Sequence, residues 1–340
     1  MKKLTPLFVL LLFVMFSAAC GAGSAGSRPE VTLILTQHDP DNSLPGKYCN
    51  TWADMVYRES DGRIKVLVNN GGSLARPTES LDKVKSGAVD IAWGLQSFYP
   101  GQFPMTDMLA LPYLPYKSAA QASEVMMDIW ESTNLLQGDT GYADTKVLLI
   151  RSNCDAPITT AKKRLESTAD LRNMTIRASA APLVNWLGEF GATGQGCPIN
   201  ELFQNLKNGA FDGALTDWHG IHSFRLFDNC ARYFADEQVQ FNTYYFLMNR
   251  AKYSKLSEEN KAVIDKCGGR AALELMKDDW DALTGVTKQS IRDAGGEVYR
   301  LSDAEHQKLV AAAAKVTAEH IARLGEAGRE LYEKIIELSR

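Results

Sequence analysis

Few residues of this sequence are spaced as catalytic or metal-binding motifs require. His219 and His222 lie three apart and could share a helix face as metal ligands, but no third ligand is evident, which favours a polar helix start near a cleft. The sequence contains no G-x-x-x-x-G-K-[ST] loop, no G-x-S-x-G elbow and no H-E-x-x-H motif, and the glycines of 191–196 have the wrong register for a dinucleotide fingerprint. We therefore expect neither a metal nor a cofactor.

The composition is that of a globular protein without affinity for nucleic acid. The chain has 340 residues, of which 45% are hydrophobic and 23% are charged, and this length suits about two domains. The formal net charge is -4 and the sequence has no basic run, whereas a nucleic-acid binder normally presents a basic field.

The first residues form an export signal. Two lysines precede an apolar run over 7–16, which is too short to span a bilayer and is followed by small residues and Cys20. Residues 17–20 resemble a bacterial lipobox, although Ser17 replaces the more usual leucine. We predict a signal peptide over 1–19, acylation of Cys20, a lipidated tether over 20–28, and a periplasmic protein anchored to a membrane. The alternative is an ordinary signal peptide cut near Ala19.

Export permits disulfide bonds among the cysteines that follow Cys20. The five are Cys49, Cys154, Cys197, Cys230 and Cys267. None forms a C-x-x-C pair, which argues against redox and zinc-ribbon motifs. Bridges Cys154–Cys197 and Cys230–Cys267 are one prediction, and free buried thiols are the other.

Strand and helix patterns alternate in two successive stretches. In the first, strands at 31–36, 63–69 and 89–93 are separated by helices at 48–60 and 77–86. In the second, strands at 146–151, 174–177 and 212–215 accompany helices at 182–190 and 202–207, and a strand at 244–249 follows. This order predicts an α/β protein with mostly parallel sheets, built twice. An exported chain of this kind without a catalytic signature favours ligand capture over catalysis.

The last third of the sequence is helical. A helical pattern covers 260–288 and is broken by glycines at 268–269. A capping box at 302–305 then opens a long helix that runs to Ser339.

Three motifs carry a family resemblance: 89–114, 170–177 (DLRNMTIR) and 209–218 (GAFDGALTDW). Together with 62–66, 247–250 and 255–261, they resemble the DctP-type solute-binding subunit of tripartite ATP-independent periplasmic (TRAP) transporters. The resemblance implies a type II-like two-lobed periplasmic binding protein with crossing strands and a long hinge helix. The implied lobes are 29–153 with 242–284, and 154–241 with 285–340. A ligand held between them is delivered to membrane permease subunits.

The resemblance assigns the carboxylate contact to Arg177. Family members grip a substrate carboxylate with the matching arginine, whose paired donors suit two carboxylate oxygens. A surface or salt-bridge arginine is the alternative. A second family arginine often stands near Pro157, which cannot donate. Arg151 could compensate, or it is a surface charge at a strand end.

The segment after the strand at 212–215 supplies three further candidates. Thr216 matches a frequent polar contact of the family. Asp217 replaces a common proline and hints at a hydroxyl or ammonium group on the ligand, with a helix N-cap as the alternative. Trp218 is predicted as a cleft wall, with a core position as the alternative.

The remaining candidates predict the shape of the ligand. They are Trp93 and Leu95 at the end of the third strand, Gln37 and His38 after the first, and Phe241 and Tyr244 at the second crossing strand. One arginine and many rings predict an aromatic or bulky apolar monocarboxylate, such as a 2-oxo, 2-hydroxy or amino acid. The alternative ligand is a C4-dicarboxylate. The alternative functions are a ligand-sensing subunit of a sensor kinase and an exported hydrolase.

Overall fold

A computed structural model describes residues 29–340 of the chain. The predicted signal peptide, the acylated Cys20 and the tether lie outside these residues. Within the described residues, no helix has both the length and the apolar composition needed to cross a membrane.

All strands within residues 29–340 belong to one mixed sheet with the order β2-β1-β3-β8-β4-β7-β5-β6, and β9 pairs with β8. The strands are β1 (Val31–Thr36), β2 (Ile64–Asn69), β3 (Ile91–Leu95), β4 (Thr145–Thr160), β5 (Thr175–Arg177), β6 (Thr193–Gln195), β7 (Gly213–Leu215), β8 (Tyr233–Asn249) and β9 (Glu297–Tyr299). β1, β2 and β3 form one parallel half, and β5, β6 and β7 form another. The predicted α/β two-lobed class is confirmed.

Two long strands join the halves. β4 has 16 residues and β8 has 17, and their antiparallel ladder runs from Thr145↔Asn249 to Thr160↔Tyr233 with three shifts of register. The sequence predicted only the segments 146–151 and 244–249. The rest of the ladder was missed because polar residues such as Ser152, Asn153 and Asp155 are buried inside β4 and interrupt the apolar pattern expected of a buried strand.

The helices pack against the strands of this sheet. They are α1 (Leu44–Glu59), α2 (Ser80–Ser86), α3 (Ala119–Ser132), α4 (Ala181–Gly188), α5 (Ile199–Asn208), α6 (Trp218–Ser223), α7 (Arg250–Ser254), α8 (Glu258–Cys267), α9 (Gly269–Glu274), α10 (Asp279–Asp293) and α11 (Asp303–Leu338). The helical segment predicted at 260–288 is divided into α8, α9 and α10. Its first break falls at Gly268, as the glycine pair predicted.

The predicted long helix is α11, which has 36 residues and a break at Gly325. The Ser302 hydroxyl accepts from the Glu305 N–H, but the Glu305 carboxylate accepts from the N–H and hydroxyl of Thr168 at 2.7 and 2.8 Å. Glu305 thus ties α11 to the turn at Thr168, which precedes β5, instead of completing a capping box. Near the other end of α11, Gln121 of α3 donates to the Ser339 carbonyl at 3.1 Å. The helix therefore contacts both halves.

The structure contradicts the predicted disulfide bonds. All five cysteines between Cys49 and Cys267 are free. The Cys154 thiol donates to the Trp280 carbonyl at 2.9 Å, and the Cys230 thiol donates to the Leu226 carbonyl at 2.7 Å. Cys49, Cys154, Cys230 and Cys267 are buried free thiols, as the alternative interpretation held, whereas Cys197 is half-buried.

Candidate ligand-binding site

The carboxyl ends of strands from both half-sheets meet around one small cavity. His38 and Asp39 follow β1, Leu95 ends β3, and Thr216 follows β7. In open α/β sheets, ligands bind outside the carboxyl ends of the strands. The free volume of the cavity is about 20 Å³, which is room for one water molecule. In the described arrangement, the cavity is too small to hold an organic ligand.

Arg177 forms the charged wall of this cavity. It ends β5 and is only 4% exposed. Its Nε donates to the Cys197 carbonyl at 3.3 Å, and its Nη1 donates to the Leu215 carbonyl at 3.3 Å and to the Thr216 hydroxyl at 3.2 Å. These contacts fix the plane of the guanidinium group while leaving Nη2 without a hydrogen bond to any residue between 29 and 340.

The charge of Arg177 has no direct carboxylate partner in the described part of the chain. No carboxylate of the described residues lies within 4.0 Å of its guanidinium nitrogens. Burial lowers the pKa of Arg177, because the charged form loses its hydration. A buried cation without a partner is costly, and an anionic ligand would compensate it.

Asp217 lines the cavity, but its carboxylate already has donors. Its Oδ1 accepts from the Gly220 N–H at 2.7 Å, which makes Asp217 the N-cap of α6. Its Oδ2 accepts from the Asn242 amide at 3.3 Å and from the Tyr244 hydroxyl at 3.2 Å. The structure thus corresponds to the alternative interpretation, in which Asp217 is a helix cap.

A row of imidazoles and carboxylates crosses the cavity between the halves. The His38 Nε2 lies 3.6 Å from Asp39 Oδ2, and the His219 Nε2 lies 3.8 Å from Asp39 Oδ1. The His219 Nδ1 lies 3.7 Å from Asp217 Oδ1. These separations are too long for hydrogen bonds. Asp39 Oδ2 and His219 Nε2 have no hydrogen-bond partner among the described residues. The described residues contain no cluster of three or more ligating side chains able to hold a metal ion.

Trp218 is not a wall of the cavity. Its side chain is fully buried, and its Nε1 donates to Asp155 Oδ2 at 3.2 Å. The Lys288 ammonium lies 4.9 Å from the centre of its ring. The first turn of α6 directs Trp218 into the core while Thr216 and Asp217 face the cavity, so the prediction of a cleft wall is wrong.

The partner of Trp218 gives a prediction on pH. Burial, with Asp236 as a second cause, raises the pKa of Asp155 to about 6. A carboxyl whose pKa is raised by folding stabilises the protein in its protonated form, and that contribution is lost as pH rises from about 4 to 6. We expect Asp155→Asn to raise the free energy of unfolding at pH 7.5 by about 2 kcal/mol and to leave it unchanged near pH 3.5.

This difference between the variant and the wild type is measured by urea denaturation at both pH values. Asp236→Asn should raise the free energy of unfolding at pH 7.5 by less than Asp155→Asn does, because it removes the neighbouring charge and leaves the buried carboxyl of Asp155 in place. Equal stabilisation by Asp155→Asn at both pH values would show that titration of Asp155 is not the cause.

Three more predicted contacts lie outside the cavity. The ring of Trp93 is fully buried and stacks on Trp280 at 6.2 Å. The side chain of Gln37 donates to the Asp39 carbonyl at 2.6 Å and to the Asn70 amide oxygen at 2.6 Å. Phe241 packs edge-on against Tyr116 at 5.7 Å. Their assignment to the cavity wall is wrong, whereas Leu95, His38 and Tyr244 do line it.

Arg151 is neither a surface charge nor a wall of the cavity. It is 1% exposed, and its guanidinium carbon lies 4.1 Å from the centre of the Trp280 ring and 6.0 Å from that of Trp93. Burial lowers its pKa to about 10. Aromatic faces attract a cation in this way, which offsets part of the cost of burying it.

Sequence reasoning missed several residues of the cavity. Besides Asp39, the missed residues of the cavity wall are Phe98, Ile199, Phe224 and Asn242. His219, which the sequence analysis interpreted as part of a polar helix start near a cleft, also lines the cavity. Asp39 had a detectable signal, because it follows Gln37 and His38 directly after β1. Phe98, Ile199 and Phe224 lie on short turns or helix ends, where no sequence period indicates which side chains face inward.

Two half-sheets joined by crossing strands, with a cavity and an unpaired arginine at their common edge, define a two-lobed binding protein of the periplasmic type. The chain belongs to the DctP family, described as bacterial extracellular solute-binding protein family 7, whose model matches residues 35–324. It is a solute-binding protein of the TRAP transporter class, and this family consists of receptors that bind solutes outside the cytoplasm. Proteins of this class work with permease subunits in the membrane.

Solved structures and curated sequences agree with this assignment. A marine metagenome TRAP solute-binding protein specific for aromatic acid ligands is 28% identical in its complex with 3-hydroxybenzoate, over 92% of this chain and 98% of that chain, with a TM-score of 0.84. Its complex with meta-hydroxyphenylacetate gives 29% identity, 91% and 98% coverage and a TM-score of 0.83. A solute-binding protein of Verminephrobacter eiseniae is 25% identical over 309 residues, which are 90% of each chain.

Proposed function

We propose that this protein captures an aromatic monocarboxylate and presents it to a TRAP-type permease. The observation that carries the proposal is the buried guanidinium of Arg177, which lines the cavity and has no carboxylate partner among residues 29–340. Thr216 lies beside it at 3.2 Å and provides a second polar group for the same carboxylate.

The apolar part of the cavity supports a ring. Leu95, Phe98, Ile199 and Phe224 line it together with the ring of Tyr244. Burial of an aromatic ring against such side chains gains about 25 cal/mol per Å² of apolar surface. The metagenomic protein specific for aromatic acid ligands, which has the same fold, adds support from similarity.

Three further assignments belong to this proposal. The lobes are 29–153 with 242–284 and 154–241 with 285–340, and they close over the ligand in a hinge motion. Acylated Cys20 anchors the mature chain to a membrane through the tether over 20–28. The closed lobes dock on the permease.

The function is tested first by mass spectrometry of the small molecule released when freshly purified protein is denatured. A thermal-shift series then compares benzoate, 3-hydroxybenzoate and succinate, with benzamide as a neutral control of the same shape as benzoate. We expect the aromatic acids to raise the melting temperature, because a ligand at 100 times its Kd stabilises the folded state by about 2.7 kcal/mol. Benzamide lacks the negative charge that Arg177 requires and should give no shift.

Other outcomes identify the other functions. Stabilisation by succinate alone would replace the proposal with C4-dicarboxylate capture. Conversion of an aromatic ester or amide to product during incubation would identify a hydrolase, since a binding protein returns its ligand unchanged.

A further inference from the structure

Asp39 is the only carboxylate of the described cavity wall whose oxygens lack hydrogen-bond donors. It is 2% exposed. Its Oδ2 has no hydrogen-bond partner, and the imidazole nitrogens on either side lie 3.6 and 3.8 Å away. A buried carboxylate without donors is costly, and a donor supplied by a ligand removes that cost.

The backbone of Asp39 is held firmly in place. Its N–H donates to Gln37 Oε1 at 2.6 Å, and its carbonyl accepts from Gln37 Nε2 at 2.6 Å and from the Gly71 N–H at 2.8 Å. Gln37 thus acts on the cavity through Asp39. A side chain on a backbone held this way keeps its direction, which favours selective recognition over adjustment to many ligands.

Asp217, the other carboxylate of the cavity wall, differs in this respect. Three donors occupy its oxygens: the Gly220 N–H, the Asn242 amide and the Tyr244 hydroxyl. Asp217 therefore has little capacity left for a ligand, and Asp39 has an oxygen free. The cavity offers donors at Arg177 and Thr216 and an acceptor at Asp39, with apolar side chains beside them.

We propose that Asp39 accepts a hydrogen bond from a hydroxyl group on the ligand ring, so that the preferred ligands are hydroxylated aromatic acids. This inference rests on the proposed capture of an aromatic carboxylate and adds the residue that selects among such acids. A site built to accept a hydrogen bond rejects the analogue that lacks the donor, because its own polar group then stays unpaired.

The test measures dissociation constants by titration calorimetry for three acids: 3-hydroxybenzoate, benzoate and 3-methoxybenzoate. The methoxy acid keeps the ring oxygen but cannot donate. We expect wild-type protein to bind 3-hydroxybenzoate about 10–100-fold more tightly than either of the others, the range for a hydrogen bond to a charged group. This comparison needs no variant and stands even where a variant fails to fold.

Two variants assign the preference to a residue. In Asp39→Asn, the hydroxy acid should keep less than about a threefold advantage over benzoate, while benzoate itself binds at least as well as before. Asp54→Asn, an exposed residue of α1, makes the same change of charge and should keep the wild-type ratio.

The outcomes separate the two proposals. Equal wild-type affinity for all three acids, or an unchanged ratio in Asp39→Asn, would overturn the role of Asp39 and leave aromatic-acid capture standing. Failure of every aromatic acid to bind would overturn both.

Discussion

We expect Arg177→Met to weaken the binding of aromatic acids by about 100-fold or more, or to abolish detectable binding. Methionine keeps much of the side-chain volume and removes the charge and all donors. The ligand carboxylate would then be buried without a partner, and truncating one member of a buried charge pair costs about 2–5 kcal/mol. Titration calorimetry with benzoate measures the loss. Arg177→Lys should give an intermediate value, because an ammonium group restores the charge without the paired donors.

The matched control is Arg172→Met, which removes an exposed arginine five residues earlier on the same lobe. It should bind benzoate within about a factor of two of wild type, since screened surface charges have small effects. The ligand-free Arg177→Met protein should melt no lower than wild type, because the residue it loses is a buried and unpaired cation. Retention of full affinity by Arg177→Met would place the carboxylate elsewhere.

Gly213→Ala is the second change with a large expected effect. Gly213 begins β7 and pairs with Thr160 on one side and Ile176 on the other. An added Cβ would lie 2.3 Å from the Thr159 carbonyl oxygen and 2.9 Å from Ile176 Cδ1, so β7 would have to move away from β4. We expect a loss of about 2–3 kcal/mol in the free energy of unfolding, measured by urea denaturation, the range for a forced backbone shift in a packed core.

The same change should also weaken ligand binding. Thr216 and the N-cap of α6 follow β7 directly, so displacement of β7 moves part of the cavity wall. Gly188→Ala is the control, because an added Cβ at that position meets nothing within 4 Å. It should be neutral or stabilise by up to about 1 kcal/mol. A wild-type melting curve for Gly213→Ala would show that the sheet can absorb the added carbon.

The parts of the site that could be predicted are those at the ends of parallel strands. Arg177 and Thr216 end or follow short strands, and such positions meet at one edge of the sheet whatever the details of packing. Leu95 ends β3 and lines the cavity in the same way. Trp93 points to the same face of β3, because side chains alternate along a strand, but it lies one step further from the strand end and inside the core.

The parts that failed depend on tertiary packing. Which way Trp218 points follows from the rotation of a six-residue helix, which is too short for its sequence to define a face. The side chain of Gln37 is hydrogen-bonded to the backbone of Asp39, and the carboxylate of Asp217 accepts from the Tyr244 hydroxyl. Both contacts form only in the folded chain. Asp39 was missed for the same reason. Its carboxylate stands out because it lacks hydrogen-bond donors, and only the folded structure shows that lack.

The ladder between β4 and β8 limits how the receptor can open. Because two continuous strands pass from one lobe to the other, the lobes can bend about this ladder but cannot slide past or detach from one another. Three of its steps, between Val147 and Leu149, Ser152 and Asp155, and Ala156 and Ile158, already depart from regular pairing. Bending at these irregular steps breaks the fewest interstrand hydrogen bonds. We therefore expect the elastic bending of β4 and β8 to govern ligand release.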